Sequence, residues 1–138
     1  IMSGQVQAEA TDLGPLRAMT NVHWLGQRRF ATLPDLLRGV DVCLIPYVQD
    51  ETTRYRSPLK LYEYLATGKP IVSTPQPEVD AFKGLVRVAS TADFVDTIED
   101  TLQTDSAQDR LDRLEEARKH SWDVRVETIT NILGKHGR

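Results

Sequence analysis

The amino-acid sequence predicts an α/β fold in which a Rossmann-like parallel sheet is flanked by helices. Runs dense in β-branched and aliphatic residues indicate four strands, at residues 21–26, 41–47, 71–74 and 85–89, and residues 1–3 have the composition of a strand end. Helical patterns lie between and after these runs, at residues 33–38, 58–67, 79–82, 91–103, 107–120 and 122–133. We expect the 138 residues to form a single domain, because that length supports one hydrophobic core.

Local signals set the limits of the remaining elements. Residues 4–19 are expected to form a loop, because turn-forming residues occur near its middle. Thr32 and Thr91 are predicted to cap the helices that follow them. The strand at 41–47 is almost continuously apolar, which is typical of a strand covered on both faces. The charged run at 111–118 is expected to be a solvated helix face.

Composition and charge exclude several classes of protein. With 27% charged residues and a net charge of −3, the chain lacks the positive field that attracts nucleic acid. No apolar stretch approaches the ~20 residues that span a bilayer, and no signal peptide is recognisable, so we expect no membrane span. Cys43 has no disulfide partner and lies in an apolar run, which predicts a buried thiol and suits a cytoplasmic location.

Residues 57–74 have the pattern of a loop, a helix, a tight turn and a strand in a single run. Ser57 is a good N-cap, and Pro58 suits the first helical position because its missing N–H has no partner to lose. Gly68 fits the left-handed position just past the helix, and Pro70 stops the helix from continuing. These signals predict a short helix directly before a buried strand.

The two faces of this helix differ in chemistry. Leu59, Tyr62 and Leu65 form an apolar stripe that is expected to pack on the sheet, whereas Lys60 and Glu63 lie on a polar face. That polar face begins at a helix N-terminus, where free N–H groups and the helix dipole favour an anion. The pattern therefore predicts a phosphate-bearing ligand.

Parallel strands end at a common edge of the sheet, and α/β folds bind their ligands there. The loops at residues 26–30, 47–57 and 74–77 all follow predicted strands, and the helix at 58–67 begins at the same edge. The prediction of a binding site depends on this convergence.

Each candidate ligand contact has a structural alternative. Glu63 is either a solvated carboxylate paired with a nearby lysine or a bidentate acceptor for the two hydroxyls of a ribose. Lys60 is either a surface lysine or a phosphate contact. Four further candidates are otherwise ordinary loop residues: Arg54 and Arg56 as a diphosphate clamp, Glu51 as a contact to sugar hydroxyls, and Gln27 as a contact to a base.

Other chemistries lack their signatures in this sequence. It contains no Cys/His cluster with metal-ligand spacing, no Gly-x-Ser-x-Gly elbow, no Walker loop and no Gly-x-Gly-x-x-Gly. His23 is expected to be structural, and His120 is expected at a helix end, where its charge suits the C-terminus. A hydrolase, a kinase, a dinucleotide oxidoreductase and a metal site are therefore not predicted.

Four segments together resemble the C-terminal half of a two-domain, Rossmann-like (GT-B) glycosyltransferase of the group 1, E-x7-E type. They are NVHWLGQ at 21–27, DVCLIPY at 41–47, SPLKLYEYLATGKP at 57–70 and HSWD at 120–123. The segment at 57–70 is the most specific of them. The resemblance implies a domain that binds a nucleoside-diphosphate sugar of the UDP or GDP type, for transfer to an acceptor hydroxyl, without a metal or other cofactor.

The same resemblance assigns roles to particular residues. It makes Glu63 the ribose-binding glutamate and places Ser57, Pro58 and Lys60 around the phosphates, together with backbone amides. The acceptor-binding N-terminal half of such enzymes has no counterpart in the sequence. We therefore expect the chain by itself to bind donor weakly at best and to show no turnover.

The sequence departs from the family pattern at two places. Many retaining members carry a second glutamate eight positions before the ribose glutamate, and Tyr55 occupies that position here, so a retaining or an inverting outcome stays open. The first strand–helix unit of the family's C-terminal half is also absent, and its strand would lie near the middle of the sheet. We expect a truncated domain that is rearranged, exposed to partners or paired as a homodimer through the exposed sheet.

Two other functions stay open on the sequence. A sugar-nucleotide epimerase half would share the architecture, but its acid and base residues are not found. A non-catalytic α/β binding or interaction module, such as a receiver-like domain, would need a phosphoacceptor aspartate at a strand end. Asp50 fits that role poorly, because it lies several residues past its strand.

Overall fold

The chain divides into two compact units, residues 1–38 and residues 39–138. The structure is a computed structural model, and the residues that it describes are 2–3, 13–48, 51 and 59–136. Each unit has its own sheet, and both sheets are parallel. None of the helices in these ranges is long and apolar enough to cross a membrane.

The first unit contains a pair of parallel strands and two short helices. Its elements are β1 (Met2–Ser3), α1 (Gly14–Arg17), β2 (Trp24–Gly26), a 3-10 turn (Phe30–Thr32) and α2 (Leu33–Arg38). Helix α2 has the predicted bounds. Helix α1 replaces part of the predicted loop, because Pro15 lies in its first turn, where a fixed φ favours a helix. Thr32 belongs to the 3-10 turn directly before α2, and its hydroxyl donates to the carbonyl of Arg29 at 2.8 Å. The capping role predicted for it stays a prediction.

The second unit is a three-stranded parallel sheet flanked by helices, which confirms the predicted fold class. Its elements are β3 (Cys43–Ile45), α3 (Leu59–Leu65), β4 (Ile71–Ser73), α4 (Pro77–Asp80), β5 (Arg87–Val88), α5 (Phe94–Thr104), α6 (Ala107–Lys119) and α7 (Trp122–His136). The strand order is β3-β4-β5, and β4 is central. In the register of the sheet, Cys43 lies beside Ile71 and Val72 beside Arg87.

The core of the second unit lies around β4, all three residues of which are buried. Its other apolar members come from several elements and are Cys43, Ile45, Leu61, Leu65, Val79, Phe82, Val86 and Ala89. The prediction that the strand at 41–47 is covered on both faces is wrong for its middle residue, because Leu44 is 38% exposed. Successive side chains of a strand point to opposite faces, and β3 buries the face that carries Cys43 and Ile45.

Helix α5 begins later than the sequence predicts, whereas helix α6 begins at Ala107, as predicted. Helix α5 has Asp93 as its N-cap, so the role predicted for Thr91 is wrong. Ser90 and Asp93 hydrogen-bond through their side chains, and the chain turns once before the helix starts. Helix α6 begins with a capping box in which Ser106 and Asp109 bond reciprocally, side chain to backbone N–H. This box explains why a highly charged helix has a sharply defined start.

Candidate functional site

Helix α3 carries Lys60 and Glu63 on a face that is not buried. Leu61 and Leu65, one helical turn apart, are completely buried and fix the orientation of the helix. Lys60 is exposed and Glu63 is partly exposed. Leu59 was predicted to pack on the sheet, and this is wrong, because it is 73% exposed. A helix turns by 100° per residue, so the burial of Leu61 directs Leu59 to the opposite side.

The direction of α3 follows from the sheet. The helix lies in the crossover between β3 and β4, which are parallel neighbours. A crossover helix runs back against its strands, so its first residues lie towards the edge at which the strands end. Lys60 is in the first turn of α3 and Glu63 is one turn later, so Lys60 lies nearer that edge. The predicted helix start at Ser57 and Pro58 lies outside the described residues.

A buried arginine of α6 fixes the other end of α3. Gly68 has the predicted left-handed conformation, with φ of +69°, and its carbonyl accepts hydrogen bonds from Nε and Nη2 of Arg113, each at 3.1 Å. Nη2 of Arg113 also donates to Oδ2 of Asp105 at 2.6 Å. Arg113 is 3% exposed, and the carboxylate compensates its charge. This arginine clamp holds α3, and hence Lys60 and Glu63, against α6.

Tyr62 joins α3 to three further helices. Its hydroxyl donates to Oε1 of Glu78 at 2.8 Å, and its ring meets Phe82 edge-on, with 5.7 Å between centroids. The ring centroids of Tyr62 and His120 are 5.1 Å apart, and the guanidinium carbon of Arg125 lies 5.3 Å from the centroid of the Tyr62 ring. Burial, followed by the bond to Glu78, raises the pKa of Tyr62. The hydroxyl therefore remains a hydrogen-bond donor at neutral pH.

The carboxyl edge of the sheet contains a fixed backbone and one unusual side chain. The hydroxyl of Thr74 donates to the carbonyl of Tyr47 at 2.9 Å, and its N–H donates to the carbonyl of Ile45 at 3.1 Å. Gln76 follows two residues later and is 3% exposed. Neither Nε2 nor Oε1 of Gln76 has a hydrogen-bond partner among the residues that the structure describes. The N–H and hydroxyl of Thr74 are therefore hydrogen-bonded, whereas the buried side-chain amide of Gln76 is not.

Gln27 belongs to the first unit, where it helps to form an open groove with a volume of about 510 Å³. The groove is lined by Gln27, Arg28, Arg29, Thr32, Asp35 and Leu36. Two guanidinium groups, an amide and the carboxylate of Asp35 line the groove, so it suits a polar ligand. The predicted contact of Gln27 with a base stays a prediction.

The other predicted contacts come from the loop before α3. Glu51 is exposed. Arg54 and Arg56 lie outside the described residues, as do Ser57 and Pro58. Their assignment therefore depends on the sequence.

His120 and Cys43 lie in positions that suit a structural role. His120 ends α6, as predicted, and its Nε2 lies 3.0 Å from Oε1 of Glu116. Cys43 is 3% exposed, and burial raises the pKa of its thiol to about 11, which confirms the predicted buried cysteine. Within the described part of the chain, no three His, Cys, Asp or Glu side chains are grouped as metal ligands.

Sequence reasoning missed Arg113 and Gln76. Arg113 lies in the charged run at 111–118, which was expected to be solvated, and that expectation is wrong at this residue. No local signal distinguishes it from its charged neighbours. The sequence gives a weak indication that Gln76 is held in a fixed position. Pro75 and Pro77 on either side restrict its backbone directly after a strand.

The comparisons with known proteins agree with this architecture. A sequence profile of the family described as glycosyl transferases group 1 matches residues 2–104, well over half of the chain. The chain belongs to this family. The matched range contains every strand of both sheets and the whole of α3.

Similarity to an individual protein covers a shorter segment. TuaH of Bacillus subtilis (strain 168), provisionally named a teichuronic acid biosynthesis glycosyltransferase, is 37% identical to this group 1 chain over 62 residues. That match covers 45% of the chain and 16% of TuaH, far less than two thirds of the relative's length. No solved structure matches the chain.

Proposed function

We propose that this chain is the part of a glycosyltransferase that binds the nucleoside-diphosphate sugar donor. The main support is the position of Lys60 and Glu63 on the unburied face of α3, in the crossover between β3 and β4. The carboxyl edge of a parallel sheet is where α/β folds bind nucleotides. The arginine clamp attaches the C-terminal end of α3 to α6, and a binding site needs such support for its side chains to be held in place.

In this proposal Glu63 accepts hydrogen bonds from the two hydroxyls of the ribose. A carboxylate has two oxygens and no donor, so it suits a pair of adjacent hydroxyl donors. Lys60 lies nearer the carboxyl edge and supplies positive charge to the diphosphate. Arg54, Arg56 and the backbone at Ser57 complete the diphosphate contacts, on the sequence argument alone. Charge neutralisation by these groups requires no metal ion.

The reaction is a substitution at the anomeric carbon of the donor sugar. The acceptor oxygen forms a bond to that carbon, the bond to the diphosphate breaks, and the nucleoside diphosphate leaves with the electron pair. The contribution of this chain is electrostatic, because positive groups fixed in position stabilise the leaving diphosphate. We propose that a further half of the enzyme binds the acceptor and supplies the base that removes its proton. The chain by itself then binds donor and does not transfer the sugar.

Calorimetric titration with UDP and with GDP tests the proposal. We expect saturable binding of one of them and a loss of about tenfold or more in affinity for Glu63→Ala, because hydrogen bonds to a charged group are lost. Glu99→Ala is the matched control, because Glu99 is exposed on α5. The affinity of this variant for the nucleotide should equal that of the wild type. The titration extends to nucleotide concentrations at which weak, millimolar binding is detected. A folded wild type that binds neither nucleotide over that range refutes the proposal and favours a non-catalytic module.

A further inference from the structure

The side-chain amide of Gln76 is buried with both of its polar atoms unpaired. Gln76 is 3% exposed, and neither its donor nor its acceptor has a partner in the described ranges. Buried amide groups are almost always hydrogen-bonded, because leaving a buried donor or acceptor unpaired costs more than a typical hydrogen bond contributes. Among the described residues, Nε1 of Trp24 is the other buried side-chain atom in this state, and it is a lone donor.

The backbone of Gln76 is fixed, so a loose segment does not explain the unpaired amide. Its carbonyl accepts hydrogen bonds from the N–H groups of Val79, at 3.0 Å, and Asp80, at 3.2 Å. Gln76 thereby becomes the N-cap of α4. Pro75 and Pro77 on either side restrict the chain further. The sequence and the backbone together hold this side chain in its buried position.

The location of Gln76 connects it with the proposed donor site. It lies three residues past the end of β4, the central strand, at the carboxyl edge of the sheet. The nearby hydroxyl of Thr74 is satisfied by the carbonyl of Tyr47. The unpaired amide is therefore specific to Gln76 and is not a general property of the segment after β4.

We propose that Gln76 is a specificity-determining contact of the donor, an inference that rests on the proposed function. A primary amide presents a donor and an acceptor side by side, so it pairs best with a ligand group that has both. Hydroxyls of the donor sugar have this chemistry, and so does the hydrogen-bonding edge of the base. Both amide atoms are buried in this structure, so the donor contacts them only when neighbouring groups move.

The variant Gln76→Met separates this role from a structural one. Methionine has a similar length and removes both unpaired polar atoms. We expect the melting temperature to rise by about 3–8 °C, because the cost of burying the amide disappears. We expect the affinity for the donor to fall by about tenfold or more, because its contacts to the amide are lost. Gln103→Met, at an exposed position on α5, is the matched control and should change neither quantity.

Four ligands distinguish the two possible sources of the contact. UDP and GDP carry only the nucleotide, whereas UDP-glucose and GDP-mannose add a sugar. A loss of affinity confined to the sugar nucleotides assigns Gln76 to the sugar, and an equal loss for the free nucleotides assigns it to the base.

Several results would overturn the inference. A lower melting temperature for Gln76→Met, and for Gln76→Leu measured in parallel, would show that the amide has a structural partner. Unchanged affinities in a protein that loses binding through Glu63→Ala would reject the role of Gln76 and leave the donor site standing. No binding by the wild type would reject both.

Discussion

Loss of the guanidinium of Arg113 is expected to destabilise the second unit strongly. The substitution Arg113→Met keeps much of the apolar length of the side chain and removes three hydrogen bonds. Two of them go to the carbonyl of Gly68, each at 3.1 Å, and one goes to Asp105 at 2.6 Å. The arginine clamp is therefore removed while the packing of α6 is largely kept.

Two contributions set the size of the effect. The carbonyl of Gly68 is buried and loses its side-chain partner, which costs about 1–3 kcal/mol. Removing one member of a buried ion pair costs about 3–5 kcal/mol, but the Asp105 side chain is 19% exposed, so water replaces part of that loss. We expect a total of about 3 kcal/mol, which is a large part of the ~5–15 kcal/mol by which domains are stable.

Urea unfolding followed by circular dichroism measures this loss. Arg118→Met is the matched control, because Arg118 is exposed on the same helix, and its free energy of unfolding should change by less than about 0.5 kcal/mol. The single variant Asp105→Asn and the double variant Arg113→Met/Asp105→Asn complete a double-mutant cycle. We expect this cycle to give a coupling energy between Arg113 and Asp105 of at least about 1 kcal/mol. Equal unfolding midpoints for the Arg113 and Arg118 variants would refute the reasoning. A coupling energy near zero would show that the ion pair contributes nothing and that the carbonyl bonds alone hold α3.

Two further predictions concern Gly68 and Cys43. Gly68→Ala should cost about 2 kcal/mol or more in the same unfolding experiment, because a left-handed φ costs about 1–2 kcal/mol and the new Cβ would lie 2.8 Å from Cγ of Arg110. Gly134→Ala, where a Cβ meets nothing within 4 Å, should be neutral or stabilising, and equal losses at both sites would contradict the argument. Iodoacetamide should alkylate Cys43 far more slowly at pH 8 in the folded chain than in urea, because burial raises the thiol pKa to about 11, and the rate should rise as the pH approaches that value. An equally fast reaction at pH 8 with and without urea would show that the thiol is accessible.

Local chemistry was enough to predict much of the fold. The Gly68 turn, the buried strand after it and the bounds of α2 follow from residues a few positions apart. The family was recognisable for the same reason, because its most specific segment, residues 57–70, is continuous. The polar face of α3 was also predictable, since Lys60 and Glu63 are separated by one helical turn.

Apart from α1, which lies where a loop was predicted, the amino-acid sequence by itself determined the order of strands and helices, the capping glycine and the candidate contacts on α3. The tertiary structure alone decided which leucines of α3 face the core, which arginine is buried and which amide has no partner. The physical reason is that these properties depend on groups far apart in the chain. Arg113 meets the carbonyl of a residue 45 positions away, and no pattern within a single helix indicates such a contact.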